Sequence, residues 1–279
     1  MAIATLIAAG RLGDSLLGAA QERLGADAPI WRDGADAARF DVADAASARA
    51  ALQGWEGVDV IALDNPPERY DLFIADMDST MIGQECIDEL GDMAGVGARV
   101  ADITERAMRG ELDFNGALRE RVALLEGLPE EAIARCIEER IRPNAGAERL
   151  LATLKAQGVR TVLVSGGFTA FADVIGGRLG FDRVVANVLE IDDGRLTGKV
   201  VGEIVNADTK LAVLKEEGAK RAIAIGDGAN DLKMVSAARL GIAFRAKPVL
   251  AEAAHARLDH HDLDALLWGL GIPRTDWVG

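Results

Sequence analysis

Short apolar runs and amphipathic segments alternate at the start of the chain. Four of the runs have the length of strands: residues 3–9, 28–31, 38–42 and 58–62. Two stretches repeat apolar side chains at helical spacing: residues 13–24 and 45–52. The resulting order, β-α-β-β-α-β, predicts a small α+β domain of the ferredoxin-like type. A turn-rich segment at residues 64–69 then predicts a boundary between domains at residues 1–66 and 67–279.

The pattern changes after residue 70. Residues 87–141 are charge-rich with helical spacing and predict a helical cap, inserted after a strand at residues 72–75. Beyond the cap, apolar runs alternate with helical segments. The strands are predicted at residues 160–164, 183–189, 196–201, 221–225 and 240–243, and the helices at residues 145–157, 169–179, 208–217 and 229–238. Such alternation predicts an α/β fold with a Rossmann-like parallel sheet between helices.

Polar residues follow three of these strands in a chemically coherent way. Asp76 and Asp78 come directly after the strand at residues 72–75, while Ser165-Gly166-Gly167 and the run Asp227-Gly-Ala-Asn-Asp each follow another strand. In open α/β sheets the ligand binds at the carboxyl ends of the strands. We therefore expect these residues to share one site, together with Lys210 from the helix that precedes the strand before Asp227.

The chemistry of this set points to phosphate. Carboxylates at neighbouring strand ends repel one another, and a hard, oxygen-seeking cation such as Mg²⁺ can hold them together. A lysine, a hydroxyl and glycine-flanked amides beside Mg²⁺ make a site for a phosphoryl group. There Asp76 can attack phosphorus as a nucleophile, and Asp78 can protonate the leaving alkoxide and then deprotonate water. Taken singly, these residues are also typical of strand-end turns and helix caps.

The order of these pieces resembles the haloacid-dehalogenase-like phosphohydrolases, and most closely the phosphoserine phosphatases within that family. The stretches that carry the likeness are Asp76-Met-Asp-Ser-Thr, Glu85-Cys-Ile-Asp-Glu-Leu, Leu118-Arg-Glu-Arg-Val-Ala-Leu-Leu, Val164-Ser-Gly-Gly-Phe and Gly226-Asp-Gly-Ala-Asn-Asp-Leu. The resemblance covers about residues 72–263 and does not clearly include the N-terminal segment.

The resemblance implies an enzyme that hydrolyses O-phospho-L-serine through an aspartyl-phosphate, in the last step of serine biosynthesis. It assigns Mg²⁺ to Asp76, the backbone carbonyl of Asp78 and Asp227, with Asp231 orienting Lys210 or a metal-bound water. The substrate contacts that it implies are Glu85 to the ammonium, Arg121 to the carboxylate, and Ser165, Gly166, Lys210 and Asn230 around the phosphate.

Several assignments have ordinary alternatives. Arg121 shares a charged helix with Arg119, where arginines commonly lie at the surface. Met108 and Phe114 can line the substrate site, but such residues are more often part of the core, which we expect here. Asn230 is also typical of a helix cap. For the activity, phosphotransfer to another alcohol, a broader phosphatase and a phosphate-binding sensor stay open.

The composition narrows the choice of partners. The 279 residues include 31 Lys and Arg against 45 Asp and Glu, a net charge of −14, whereas nucleic acids and anionic membranes select clustered basic residues. No apolar run reaches the roughly 18 residues that a membrane span needs. Cys86 and Cys136 are too few for a disulfide framework. We therefore expect a cytoplasmic enzyme with a small-molecule substrate and no nucleic-acid or membrane partner.

The predicted domain at residues 1–66 is similar to one degenerate copy of the ACT-like domains that precede the catalytic part in many bacterial relatives. It contains no glycine-bearing amino-acid-binding loop that we can identify, so regulation by serine at this domain is not supported. A two-layer piece of this size leaves a sheet face in need of cover, either by packing on the rest of the chain or in a homodimer.

Overall fold

The computed structural model describes residues 2–66 and 69–279. The chain divides into two compact units: the first contains Met1–Phe73, Ala145–Arg160 and Gly218–Gly279, and the second contains Ile74–Asn144 and Thr161–Glu217. Pro67 and Glu68, which belong to the predicted boundary segment, lie outside the described residues. The domain limits at residues 1–66 and 67–279 therefore stay a prediction.

The described elements are as follows. The strands are β1 (Ala2–Ile7), β2 (Trp31–Asp33), β3 (Ala37–Val42), β4 (Asp59–Asp64), β5 (Leu72–Ala75), β6 (Arg160–Phe168), β7 (Arg183–Asp192), β8 (Arg195–Val201), β9 (Ala222–Gly226), β10 (Leu240–Phe244) and β11 (Ala256–Leu258). The α-helices are α1 (Asp14–Leu24), α2 (Ala45–Leu52), α3 (Cys86–Met93), α4 (Gly97–Met108), α5 (Phe114–Ala123), α6 (Glu131–Arg140), α7 (Ala147–Ala156), α8 (Thr169–Leu179), α9 (Ala207–Glu216), α10 (Leu232–Ala237), α11 (Pro248–Ala253) and α12 (Ala265–Leu270).

The N-terminal elements have the predicted order and form an antiparallel sheet arranged β2-β3-β1-β4. The prediction of a strand at residues 28–31 was wrong in position, because β2 shares only Trp31 with it. A hairpin turn joins β2 to β3, and in it the Asp36 N–H donates to the Asp33 carbonyl at 3.0 Å. This turn fixes which residues of β2 pair with β3. The side chains of this edge strand are only half-buried or exposed, so apolar content is a poor guide to its limits.

The two faces of this sheet are both covered within the first unit. Leu6 and Phe40 face α1 and α2 and form a buried cluster with Leu17 and Leu52 of those helices. On the opposite face the Arg39 guanidinium donates to the carbonyl of Gly269 in α12 at 3.0 Å. The same chain therefore supplies the cover that the sheet face needs.

A buried carboxylate ties the N-terminal segment to the C-terminal part of the same unit. Asp59 is 3 % exposed, and its carboxylate accepts from the N–H groups of Asp259, His260 and His261 at 2.8 to 3.3 Å. The His261 Nδ1 atom lies 2.8 Å from the same carboxylate, while Nε2 of that ring accepts from the Ala9 N–H at 3.1 Å. Nδ1 is therefore the donor to Asp59.

Parallel strands and helices make up the remaining part of each unit, which confirms the predicted α/β class. In the first unit β10 is parallel to β9 and to β11, with Ile242 paired with Ile225 and Ala256. In the second unit β6 is parallel to β7, and the β7–β8 pair is an antiparallel hairpin. The passage from the first unit to the second occurs within β5. Among the described helices, none combines the length and apolar character needed to cross a membrane.

Helices α3 to α6 occupy the segment predicted as a helical cap, residues 87–141. The loop between α5 and α6 is hydrogen-bonded to the β7–β8 hairpin. The Gly127 N–H donates to the Leu196 carbonyl, the Leu196 N–H to the Leu128 carbonyl, and the Glu130 N–H to the Gly194 carbonyl, all at 2.8 to 2.9 Å. Arg195 adds a bond from its guanidinium to the Gly127 carbonyl at 2.7 Å. The cap and the hairpin are thus joined by four hydrogen bonds.

Candidate active site

Asp76 ends the buried strand β5 and forms an ion pair with Lys210 of α9. The Lys210 Nζ atom lies 2.7 Å from Asp76 Oδ1, and the two side chains are 0 % and 4 % exposed. The Met77 N–H also donates to Asp76 Oδ1 at 2.7 Å. The Asn206 side chain caps α9 by accepting from the Asp208 and Thr209 N–H groups. The predicted carboxylate and lysine are therefore brought together, with their geometry set by a strand end and a capped helix.

Asp78 lies in the turn after Asp76 and is placed to hold a proton. Its backbone is extended, and Ser79 beyond it has a φ of 54°, which turns the chain sharply. Burial first and the negative charge of Glu85 second raise the pKa of Asp78, the Cys86 N–H and Lys210 lower it, and the net pKa is about 7. A carboxyl group that keeps its proton near neutral pH can protonate a leaving group.

The Ser165-Gly166-Gly167 segment at the end of β6 makes close contacts that exclude side chains. The fully buried Ser165 Oγ accepts from the Gly167 N–H at 2.8 Å. A Cβ on Gly167 would lie 2.6 Å from Asp78 Oδ2, and one on Gly166 would lie 2.9 Å from the Phe114 ring. The segment is therefore in contact range of the Asp78 carboxylate, as the prediction of a shared site requires.

Asn187 is a buried positioning residue that sequence reasoning missed. Its Nδ2 donates to the Gly166 carbonyl and its Oδ1 accepts from the Val205 N–H, both at 2.8 Å. The side chain is 1 % exposed and joins the β6 end to the segment that leads into α9. The available signal was an asparagine inside the apolar strand β7, because a buried amide requires partners for both of its ends.

Glu85 and Arg121 have the same electrostatic surroundings as Asp78. Burial lowers the pKa of Arg121, while the charges of Asp88, Glu85 and Asp78 raise it, so its guanidinium lies within electrostatic range of these carboxylates. The Ser79 hydroxyl donates to Glu85 Oε1 at 2.8 Å and fixes that side chain. The structure thus brings together an anion and a cation beside the carboxyl of Asp78.

The expectation that Met108 belongs to the core was wrong. Met108 is 77 % exposed, because it ends α4 where the chain turns through Gly110 at a φ of 77°. Phe114 is half-buried and contacts Gly166, so it lies at the predicted site rather than deep in the core.

The β9 end in the first unit presents the second group of predicted residues. Asp227 is 7 % exposed and Asp231 is fully buried. Asp231 Oδ2 accepts from the N–H groups of Asp227 and Gly228 at 3.2 Å, so it shapes the loop that carries Asp227. Gly226 is required because a Cβ there would overlap the Asp231 carboxyl group.

Lys247, in the segment after β10, was also missed. Its Nζ lies 3.6 Å from Asp227 Oδ2, and its N–H donates to the Asp227 carbonyl at 2.8 Å. The strand-end rule that found Asp76 and Asp227 applies equally to β10. The sequence did not predict a role for this lysine, because Arg245 and Ala246 separate it from the end of β10.

The donor chemistry of both units suits a hard divalent cation. Asp76 in the second unit and Asp227 and Asp231 in the first are buried carboxylates, and oxygen ligands of this type are those that Mg²⁺ prefers. Asp227 and Asp231 offer carboxylate oxygens within 4.8 Å of one another.

Known proteins resemble this chain over most of its length. Two family models, both described as haloacid dehalogenase-like hydrolase, match residues 73–236 and 205–270. A phosphoserine phosphatase from Streptococcus thermophilus is 50 % identical over 198 residues, which cover 69 % of this chain and 92 % of that protein.

Two solved structures extend the likeness to nearly the whole chain. A HAD family hydrolase from Salmonella enterica serovar Typhi superposes with a TM-score of 0.88 at 29 % identity, covering 97 % of this chain and 99 % of that one. A probable phosphoserine phosphatase from Vibrio cholerae superposes with a TM-score of 0.81 at 33 % identity, covering 99 % and 88 %. The chain belongs to the haloacid dehalogenase-like hydrolase family.

Proposed function

We propose that this protein hydrolyses O-phospho-L-serine to L-serine and phosphate, with Mg²⁺ and through an aspartyl-phosphate, as the last step of serine biosynthesis in the cytoplasm. One observation carries the choice of substrate. Glu85 and Arg121 lie within electrostatic range of the proton-holding carboxyl of Asp78, in the same unit as Asp76 and Lys210. Relatives of this chain bear the name phosphoserine phosphatase, which agrees with that choice.

The reaction has two steps in this proposal. The Asp76 carboxylate attacks phosphorus, the bond between phosphorus and the seryl oxygen breaks, and Asp78 gives its proton to that oxygen. Asp78, now a carboxylate, then takes a proton from the water that attacks the aspartyl-phosphate. Phosphate leaves, and both aspartates return to their starting states.

The remaining residues bind and orient. Lys210, Ser165, the Gly166 N–H and Asn230 surround the phosphate in this proposal. Asp76, the Asp78 carbonyl and Asp227 would hold Mg²⁺, and Asp231, which shapes the Asp227 loop, would orient Lys210 or a metal-bound water. When bound, Mg²⁺ neutralises phosphoryl charge and the repulsion among the carboxylates.

The amino-acid part of the substrate sets specificity. Glu85 pairs with the ammonium group, and Arg121 binds the carboxylate with the two parallel N–H donors that a guanidinium offers. Because Arg121 is half-buried, its hydrogen bonds to the substrate are less weakened by water than those of an exposed arginine.

The test compares two substrates and two arginines. Phosphate release is measured from O-phospho-L-serine and from p-nitrophenyl phosphate, with and without Mg²⁺, for the wild type, Arg121→Met and Arg119→Met. Arg119 is an exposed residue of the same helix and serves as the matched control. Arg121→Met is expected to lower kcat/KM for phosphoserine by about 100-fold while p-nitrophenyl phosphate turnover is kept.

Three outcomes would contradict the proposal. Equal loss on both substrates would remove Arg121 from specificity. Turnover of p-nitrophenyl phosphate without turnover of phosphoserine would favour a broader phosphatase. Release of serine without phosphate, when another alcohol is present, would favour phosphotransfer.

A further inference from the structure

Lys247 is a cation beside Asp227 that the proposed mechanism does not use. Its side chain is 61 % exposed, whereas the carboxylate of Asp227 is 11 % exposed. The 3.6 Å between Lys247 Nζ and Asp227 Oδ2 exceeds the 2.7–3.2 Å of an N–H···O hydrogen bond. The ammonium therefore keeps hydrogen-bond donors for water or for a second anion.

The backbone around Lys247 holds it in place. Arg245 has a φ of 44°, and its N–H donates to the Leu258 carbonyl at 3.0 Å. The Arg245 guanidinium also pairs with Asp262 at 3.1 Å. Together with the bond from the Lys247 N–H to the Asp227 carbonyl, these contacts fix the chain on both sides of the ammonium stem.

The position of Lys247 relative to Asn230 indicates what kind of ligand it can receive. A Cβ on Gly228 would lie 2.7 Å from Asn230 Oδ1 and 3.9 Å from Lys247 Nζ. The Asn230 side chain and the Lys247 ammonium thus both lie close to Gly228. A neutral amide and an exposed ammonium at the rim of a glycine-bearing loop suit a phosphate oxygen.

Because the chain is acidic overall, an exposed cation at this point favours the approach of an anionic ligand. The chain carries a net charge of −14, and a phosphate monoester arrives as a dianion near neutral pH. Charges at the rim of a site change the capture of a charged ligand and its dependence on salt more than they change the chemical step.

We propose that Lys247 is a substrate-binding residue that receives the phosphate dianion of an arriving substrate at the Asp227–Asn230 loop. This inference rests on the proposed function. It assigns Lys247 to substrate capture and leaves bond cleavage to the residues named above.

The experiment separates charge from structure. Lys247→Gln, Lys247→Arg and the control Lys220→Gln are compared at about 20 mM and about 500 mM ionic strength, which bracket the range where exposed charges are screened. Lys220 is an exposed lysine just before β9, at the opposite end of that strand from Asp227. The readouts are KM and kcat for O-phospho-L-serine and the calorimetric Kd for inorganic phosphate in the presence of Mg²⁺.

At low salt Lys247→Gln is expected to raise KM and the phosphate Kd about fivefold while kcat is kept. The effect should shrink below about twofold at high salt, and Lys247→Arg should behave like the wild type. The Mg²⁺ concentration that gives half-maximal thermal stabilisation should not rise in Lys247→Gln.

Two results would overturn the inference. One is a Lys247→Gln protein that matches Lys220→Gln in KM and phosphate Kd at low salt. The other is a fall in kcat with unchanged KM, which would make Lys247 part of the scaffold. A wild type that binds phosphate but does not cleave phosphoserine would count against the proposed function alone, because the phosphate titration still tests Lys247.

Discussion

Two lysine–aspartate pairs stand at strand ends in this protein, and their surroundings differ. Lys210 and Asp76 in the second unit are in contact at 2.7 Å and almost wholly buried. Lys247 and Asp227 in the first unit are 3.6 Å apart, with the lysine mostly in water. The same two residue types therefore form one ion pair that stays closed and one whose lysine can also bind another anion.

The difference follows from the energetics of ion pairs. A buried pair has lost its hydration, so each member depends on the other, and removing one leaves an uncompensated charge. An exposed pair is screened by water and contributes little to stability. We infer that the buried pair holds the proposed nucleophile in position and that the exposed pair meets the ligand, and substitutions at both pairs test that division.

Asp76→Asn is expected to have the largest effect. The amide cannot form the aspartyl-phosphate, so phosphate release should fall by about 10⁴-fold or more, with no recovery at high Mg²⁺. Asp227→Asn, which affects a proposed metal ligand, should recover in part as Mg²⁺ is raised. Steady-state assays over a Mg²⁺ series measure both, with the exposed Asp173→Asn as control. Recovery of Asp76→Asn by Mg²⁺ would make Asp76 only a ligand.

Asp78→Asn separates the two steps of the proposed reaction. Seryl oxygen is a poor leaving group that needs a proton, whereas p-nitrophenolate leaves without one, so the variant should lose about 10²- to 10⁴-fold on phosphoserine. With p-nitrophenyl phosphate, stopped-flow absorbance should show a rapid burst of nitrophenol and then slow turnover, because the water step still lacks its base. A burst with phosphoserine as well would rule out Asp78 as the acid.

Lys210→Met tests the buried pair directly. It leaves the Asp76 carboxylate buried without its partner, and the free energy of unfolding should fall by about 3–5 kcal/mol. Lys247→Met at the exposed pair should change it by no more than about 1 kcal/mol. Urea unfolding measures both, with the exposed Lys215→Met of the same helix as control. Equal losses of unfolding free energy in Lys210→Met and Lys247→Met would contradict the difference between the buried and the exposed pair.

Asp59→Asn should have a smaller effect than Lys210→Met, and it tests a buried carboxylate that is held by hydrogen bonds. Burial raises the pKa of Asp59, but the bonds from His261 and the N–H groups of Asp259 and His260 outweigh it, and the net pKa lies below 3.8. A lowered carboxyl pKa adds stability above the unfolded value, and this stability is lost as pH falls through the folded value.

The variant should therefore lose about 1–3 kcal/mol of unfolding free energy at pH 7, and this difference should shrink as the pH falls below about 4. Urea unfolding over a pH series measures it, beside the exposed Asp41→Asn. A difference that is constant with pH would mean that the ionised form of Asp59 is not what the fold favours.

Elements with a strong period and clear end signals were predictable from the sequence. Helix α8 matches residues 169–179, because Gly180 ends it in the left-handed region with a φ of 82°. The β7–β8 hairpin follows from the turn at Asp192-Asp-Gly. In contrast β6 runs on to Phe168 rather than ending at residue 164, since Phe168 pairs with Asn187 after an irregularity in the register that no local signal shows.

The site was predictable where its residues form a contiguous motif and not where they act through tertiary contact. Asp76 with Lys210, and Asp78 near Glu85, Arg121 and Ser165, lie as expected within the second unit. The role of Asn187 depends on contacts with carbonyl and N–H groups 21 and 18 residues away. The role of Lys247 depends on its position beside Asp227 at the end of β9, and the linear sequence does not show that β9 and β10 are neighbours.

The hydrogen bonds between the α5–α6 loop and the β7–β8 hairpin restrict how this enzyme can move. Arg121 lies in α5, and Asn187 joins β7 to the Gly166 carbonyl, so α5, the β7–β8 hairpin and the Ser-Gly-Gly segment form one linked framework. Swinging α5 outward as a rigid lid would break four hydrogen bonds or drag the hairpin along. Helix α5 and the β7–β8 hairpin are therefore expected to keep their positions relative to each other when a substrate enters, and Arg121 is carried on this fixed framework.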